Sequence, residues 1–187
     1  ETGARDLVQV AYINPTYGVD ATGSLTTGRP FKTWQAALNA IQTAAVAFGS
    51  ATIVPSPGYY PEDCTFSVNL EFYLQILGMG KAYNTMLRSL ALTPATVNKV
   101  STIGISSIAL AALTPNPQTL SCFKVNDPST RAGSLFITLQ NMYFPVSTSS
   151  VNAIEVLSTG GGGSGTISIN LAGAVQPVEK RIIKRAA

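Results

Sequence analysis

Histidine is absent from this 187-residue chain, and cysteine occurs only twice. Without an imidazole, a Ser-His-Asp triad and a Cys-His dyad are both excluded. With two cysteines and no histidine, a zinc or haem site has too few ligands, and no cofactor is expected. Charge is scarce as well: 11% of residues are Asp, Glu, Lys or Arg, against roughly 25% in an average soluble domain. No apolar run is long enough to span a bilayer. The longest, Ile103 to Leu113, is too short and carries two serines, so no membrane contact is expected. The N-terminus lacks a signal-peptide pattern. Glu1-Thr2-Gly3 reads as a secretion-vector remnant and stands outside the fold argument.

The net charge of +3 is concentrated at one end, because Lys180, Arg181, Lys184 and Arg185 fall in the last eight residues. Residues 1–178 carry eight basic and eight acidic side chains. The body is therefore neutral and offers no basic face for nucleic acid. The segment 176–187 reads as a solvated basic tail, with contact to an acidic partner as the sharper alternative. Cys64 and Cys122 lie far apart in apolar, strand-like runs. They read as two buried thiols, with a single bridge as the alternative.

What the chain does have is one amphipathic helix followed by many short strands, within a single domain spanning 1–187. Residues 7–13 give a first strand, and a Gly/Thr-rich loop containing Asp20 follows, closing an N-terminal section of residues 1–30. A capping helix is expected over 31–49, with Trp34, Ala37, Leu38, Ile41, Ala45 and Phe48 on one face. Thr33 is the expected N-cap and Gly49 the stop. Burying Trp34, Leu38, Ile41 and Phe48 would stabilise the docked helix by roughly 1.5–3 kcal/mol each. From residue 50 to 175 the pattern turns to short β-coils. Strands are expected near Thr52–Val54, Thr65–Val68, Tyr73–Leu77, Thr102–Ile105, Cys122–Val125, Leu135–Leu139, Ala153–Leu157 and Thr166–Leu171. Turn signals separate them: Pro55-Ser56-Pro57-Gly58, Gly78-Met79-Gly80, Asn126-Asp127-Pro128 and the run Gly160 to Gly165. The stretch Lys81 to Val100 reads as a projecting loop. Apolar centres at Ile53, Leu74, Ile103, Cys122, Phe144 and Ile167 lie 19 to 29 residues apart. That spacing suits a solenoid, and the pair Leu135–Leu139 and Met142–Phe144 suits two faces of one coil joined at a Gln-Asn corner. An antiparallel β-sandwich is the alternative fold.

Val19 to Glu62 carries the one recognisable signature. It contains a loop Asp20-Ala21-Thr22-Gly23-Ser24, a helix-forming run from Pro30 to Ile41, PFKTWQAALNAI, and a strand-turn from Thr52 to Tyr60, TIVPSPGYY. These motifs resemble the N-terminal entry of right-handed parallel β-helix proteins, the pectate-lyase-like superfold. They cover about a quarter of the chain; beyond Glu62 the likeness is one of texture only. The resemblance implies an all-β, right-handed, single-stranded parallel β-helix whose first coil is closed by the capping helix. It also implies membership of a group that includes polysaccharide lyases and hydrolases, phage tailspikes, and viral fibre or capsid-surface proteins. Among these, the viral members imply a homotrimer on a virion surface or in another extracellular setting, meeting glycans or other virion proteins. No second capping helix follows Leu171. The far end is therefore expected to be covered by another subunit or by continuation of the natural chain.

Nine acidic residues are available for chemistry. A glycosidase needs two carboxylates facing each other about 5–9.5 Å apart. Glu62 and Asp63 are adjacent and point apart in an extended segment; Glu71 or Glu155 would need coil register to bring them to another acid. A lyase of the superfold would need clustered acids for calcium beside a base. Arg88, Lys99, Lys124 and Arg131 are possible bases, but no acidic cluster accompanies them. Asp20 reads as a structural side chain bonding loop amides. Tyr59 and Tyr60 are candidates for a glycan or subunit contact, or for coil packing. Gly160 to Gly165 lacks the lysine and the strand-helix setting of a phosphate loop. The expectation is a non-enzymatic structural or attachment protein, with a carbohydrate-active enzyme or a glycan-binding adhesin as alternatives.

Overall fold

The computed structural model describes residues 9–44, 49–68, 73–94, 100–110, 122–128, 132–144, 153–158, 165–173 and 183–186. In chain order the elements are β1 (Gln9–Ile13), α1 (Trp34–Ala44), β2 (Ser50–Pro55), β3 (Gly58–Val68), β4 (Tyr73–Leu77), a 3-10 turn (Ala82–Asn84), β5 (Thr85–Pro94), β6 (Val100–Ser106), β7 (Ala109–Leu110), β8 (Phe123–Asp127), β9 (Ser134–Gln140), β10 (Ile154–Ser158), β11 (Ile167–Ala172) and β12 (Ile183–Ala186). From β2 onward the chain alternates between two sheets, except that β7 and β8 follow one another in the same sheet. Sheet A has the order β1-β2-β4-β6-β9-β11; sheet B has β12-β10-β8-β5-β3, with β7 beside β5. Every strand pairing among the described residues is parallel. The antiparallel sandwich is thereby excluded, since its hairpins would pair successive strands in opposite directions.

Alternation turns into columns. In sheet A, Ile53 pairs with Ile76, Ile76 with Ile105, Ile105 with Leu139 and Leu139 with Leu171. In sheet B, Cys64 pairs with Leu90, Leu90 with Phe123 and Phe123 with Ile154. The side chains of both sets, from Ile53 to Leu139 and from Cys64 to Ile154, are at most 1% exposed. Each contributes roughly 1.5–3 kcal/mol by leaving water. Period-two alternation puts these residues on one side of every strand, and parallel register stacks like on like. Both cysteines are free and buried.

Corners are fixed by backbone geometry. The residue after β6, β9 and β11 has positive φ: Ser107 at 57°, Asn141 at 50° and Gly173 at 75°. These corners stack, with the Ser107 amide donating to the Gln140 carbonyl at 3.1 Å and the Asn141 amide to the Ala172 carbonyl at 3.2 Å. Asn141 is the expected Gln-Asn corner, and Asn tolerates this conformation better than most residues. One turn up the stack, an added Cβ at Gly78 would lie 1.9 Å from the Ser107 carbonyl oxygen, so that corner admits glycine alone.

Two segments differ from expectation. Residues 85–94, read as part of a projecting loop, form β5, which lies between β3 and β8 in sheet B. Ile183–Ala186, inside the segment read as a solvated tail, forms β12 and pairs with β10. The apolar centres at Cys122 and Phe144 also belong to other faces than Ile53, Leu74, Ile103 and Ile167. The latter four lie in or beside sheet A, whereas Cys122 precedes β8 of sheet B and Phe144 follows a corner.

Candidate functional site

The first feature built by the N-terminal signature is a lid. Helix α1 buries Trp34, Ala37, Leu38 and Ile41, as the 3-4 spacing predicts. Phe48 and Ala45, expected on the same face, lie outside the described residues. Trp34 is 0% exposed and meets Tyr60 edge-to-face, with centroids 5.8 Å apart and planes at 82°. Its indole N–H has no acceptor among the described residues, so among them the ring is held by packing.

Orphan amides at the start of α1 all find oxygen acceptors, as a helix N-terminus requires. Asp20 Oδ1 accepts from the Lys32 amide at 2.7 Å and the Thr33 amide at 2.9 Å, and its Oδ2 accepts from the Thr33 hydroxyl at 2.9 Å. Glu62 accepts from the Trp34 and Gln35 amides, each at 3.2 Å. Thr33 Oγ1, the expected N-cap, accepts from the Ala36 amide at 3.3 Å. Partial burial pushes the Asp20 carboxyl upward, but the bonds from Thr33 and Lys32 outweigh it and hold the pKa below its ordinary value. The structural reading of Asp20 is thus given its geometry: the amides it serves lie 12 and 13 residues ahead.

The lid and the loop before it also cover one edge of each sheet, β3 and β1. Gln35 behaves as a one-residue strand: its Nε2 donates to the Thr65 carbonyl at 2.9 Å and its Oε1 accepts from the Thr65 amide at 2.9 Å. On β1, the Phe31 amide donates to the Tyr12 carbonyl and the Phe31 carbonyl accepts from the Asn14 amide, both at 2.8 Å. Edge strands with unpaired amides are sites of aggregation, and here a side-chain amide and a loop residue occupy them.

Of the two tyrosines considered for a glycan contact, Tyr60 is withdrawn by its position. It is 1% exposed, packed on Trp34, with its hydroxyl donating to the Ser56 carbonyl at 2.8 Å. Tyr59 is half-buried on β3. Glu62 and Asp63 do point apart: one caps α1, the other pairs with Arg88. Arg88 Nε donates to Asp63 Oδ1 at 2.8 Å and Arg88 Nη2 to Oδ2, while the Ser89 hydroxyl donates to Oδ1 at 2.6 Å. Desolvation raises the Asp63 carboxyl, but the bonds from Arg88 and Ser89 prevail and its pKa is lowered. Burial, and then the neighbouring Glu62 and Asp63 charges, push the Cys64 thiol up, so it is an inert core residue. Glu71, Lys99 and Arg131 lie outside the described residues. Among the described residues no group of three or more potential metal-binding side chains occurs, and no helix is long and apolar enough to cross a membrane.

The distribution of charge divides the surface. The six strands of sheet A contain no Asp, Glu, Lys or Arg. Sheet B holds Glu62, Asp63, Arg88, Lys124, Asp127, Glu155, Lys184 and Arg185 within its strands. Glu155 occupies the register position between Lys124 and Lys184. The outer face of sheet A carries Tyr12, Tyr73, Val100 and Phe136, exposed by 44, 42, 48 and 41%. Between them run uncharged rows such as Thr52, Gln75, Gly104, Thr138 and Asn170.

One concave feature stands on the corners. A cleft of about 620 Å³ is lined by Gly80, Lys81, Ala82 and Tyr83 on one wall and by Ser107, Asn141, Met142 and Tyr143 on the other. The first wall is the 3-10 turn between β4 and β5; the second is the corner stack. Lys81 Nζ stands 5.7 Å from the centre of the Tyr83 ring. None of these residues was read as part of a site in the sequence, because three separate turns converge only once the parallel strands are paired. No family model matches the chain, and neither a curated protein nor a solved structure is significantly similar to it.

Proposed function

We propose that this chain is a non-enzymatic structural or attachment protein. In this reading it is a short right-handed, single-stranded parallel β-helix, sealed at its first coil by α1 and assembled as a homotrimer with sheet A turned toward neighbouring copies. The observation that carries the reading is the absence of charge from sheet A beside its abundance on sheet B. Interface cores are depleted of charge and enriched in aromatic side chains. A face that exposes Tyr12, Tyr73, Val100 and Phe136 among Ser, Thr, Asn and Gln fits that description. The virion or extracellular setting rests on the resemblance of Val19 to Glu62 to the β-helix entry of viral surface proteins.

Against the carbohydrate-active enzyme reading stands the occupation of the acids. Asp20 and Glu62 hold amides of α1, and Asp63 holds Arg88 and Ser89. A nucleophile or general acid needs a carboxyl free to change its partners.

The test is to place a charge on each sheet. Phe136→Asp and Tyr73→Asp put a carboxylate on the outer face of sheet A; Ala91→Asp does so on sheet B. Mass in solution should fall to that of one chain for the first two and stay at three chains for the third. Equal masses for all three variants would defeat the reading.

A further inference from the structure

The corner cleft has a lining with a chemistry of its own. Its two walls bring Tyr83 and Tyr143 to one hollow. Tyr83 is 50% exposed, and Tyr143 is half-buried at a backbone bridge to Ala109. That bridge fixes the second wall: the Tyr143 amide donates to the Ile108 carbonyl at 3.1 Å and its carbonyl accepts from the Leu110 amide at 3.0 Å. Met142, 1% exposed, forms the floor. Asn141 supplies a carboxamide, with a donor and an acceptor on one group, and Ser107 adds a hydroxyl at the rim. Lys81 is the one charged residue of the lining, and it forms no ion pair among the described residues. Among the described residues no carboxylate lines the cleft.

Each property narrows the ligand. Aromatic faces beside an amide and hydroxyls suit a molecule with an apolar C–H face and a hydroxylated rim, which is a pyranose ring. A single ammonium with no acidic neighbour adds a preference for an anion and disfavours cations. The ammonium already lies over the Tyr83 ring, so a sugar stacked on that ring brings its substituents within reach of the charge. The volume admits one or two sugar residues rather than a long chain. We propose that this cleft binds a carboxylate-bearing saccharide. Tyr83 and Tyr143 contact the ring, Asn141 and Ser107 bond its hydroxyls, and Lys81 pairs with its carboxylate. The attachment reading gives this site a purpose, but its geometry does not depend on the trimer.

The test uses saccharide pairs that differ by the carboxylate: a sialylated lactose against lactose, and a glucuronate-terminated disaccharide against its glucose-terminated parent. Binding to the full chain is followed by calorimetry and by ligand-observed NMR. An acidic member should bind saturably and about threefold to fivefold more tightly than its neutral parent, the effect of one exposed charge contact worth up to about 1 kcal/mol. Tyr83→Ala should abolish binding of both members. Lys81→Met should leave the neutral affinity in place and erase the acidic preference. Because Lys81 and Tyr83 are exposed, both variants should melt at the wild-type temperature, which separates lost binding from lost fold. Absence of binding to every acidic saccharide overturns the proposal, as does binding that both variants leave unchanged. Solution mass is measured on the same samples: a trimer that binds no sugar defeats this site alone, and a monomer that binds sugar defeats the assembly alone.

Discussion

Replacing Trp34 tests whether α1 is a packed lid or a decoration. The ring is fully buried, lies edge-on to Tyr60 and makes no hydrogen bond among the described residues. Trp34→Ala removes the whole ring from a close-packed site. The expected cost is about 3–5 kcal/mol, of which the edge-to-face pair supplies about 0.5–1.5 kcal/mol. That is a large fraction of a stability of about 5–15 kcal/mol. Trp34→Phe keeps a ring against Tyr60 and sacrifices no hydrogen bond to the described residues, where the indole N–H has no partner. Its cost should be about 1–2 kcal/mol. Urea unfolding followed by far-UV circular dichroism is the appropriate assay, since the chain has a single tryptophan and its fluorescence vanishes with the substitution. Equal costs for the two variants would show that the N–H is bonded after all. A cost below about 1 kcal/mol for Trp34→Ala would show that the helix does not pack. Trp34→Asp should go further, lifting α1 from β1 and β3 and causing aggregation through their uncovered edges; a soluble, equally stable variant would refute the lid.

Gln35→Ala leaves the Thr65 amide and carbonyl to water; it should cost about 1 kcal/mol and raise self-association at the β3 edge, read by thermal melting and sedimentation. Gly78→Ala should cost at least about 2 kcal/mol, because its Cβ would meet the Ser107 carbonyl oxygen rather than a side chain that can swing away; an unchanged melting temperature would contradict the stacked corner. Asp20 and Asp63 both have pKa values lowered in the folded state. Their contribution is therefore complete above the ordinary aspartate value of about 3.9 and is lost as pH falls through the lower folded values. Stability measured from neutral pH downward should hold until about pH 4 and then decline, and Asp20→Asn with Asp63→Asn should flatten that decline.

Local features of the fold were legible, and non-local ones were not. The face of α1, the Thr33 cap and most strands rest on periodicity within a few residues. The corner at Gln140-Asn141 was readable because Asn is a residue that enters the left-handed region. The strand Thr85–Pro94 escaped detection for a physical reason. Its buried positions run Thr85, Leu87, Ser89 and then Leu90, Leu92, Pro94, so the alternation changes phase between Ser89 and Leu90. The partner strand β3 shifts register between Tyr60 and Asp63, around Pro61, at the same level of the stack, as a bulge on an edge strand allows. A period-two pattern broken in the middle reads as loop. The coil repeat was obscured similarly: from Ile53 the aligned positions are Ile76, Ile105, Leu139 and Leu171, at unequal steps, because insertions differ at each corner. Glu62 at the helix amides, Arg88 at Asp63 and the convergence of Lys81, Tyr83, Asn141 and Tyr143 all depend on which residues lie one coil apart. Alternation within a strand carries no information on that distance.

In the proposed assembly the uncharged sheet faces a second copy of the same chain. Burying the exposed part of Tyr12, Tyr73 and Phe136 in such a contact removes roughly 80–100 Å² each, worth about 2 kcal/mol per ring, enough to hold an assembly at micromolar concentration once neighbouring contacts add to it. Multi-angle light scattering of the wild-type chain, across a range of protein concentrations, measures the consequence directly. The proposed trimer has a mass three times the 19.5 kDa of one chain; a single-chain mass at every concentration would rule it out.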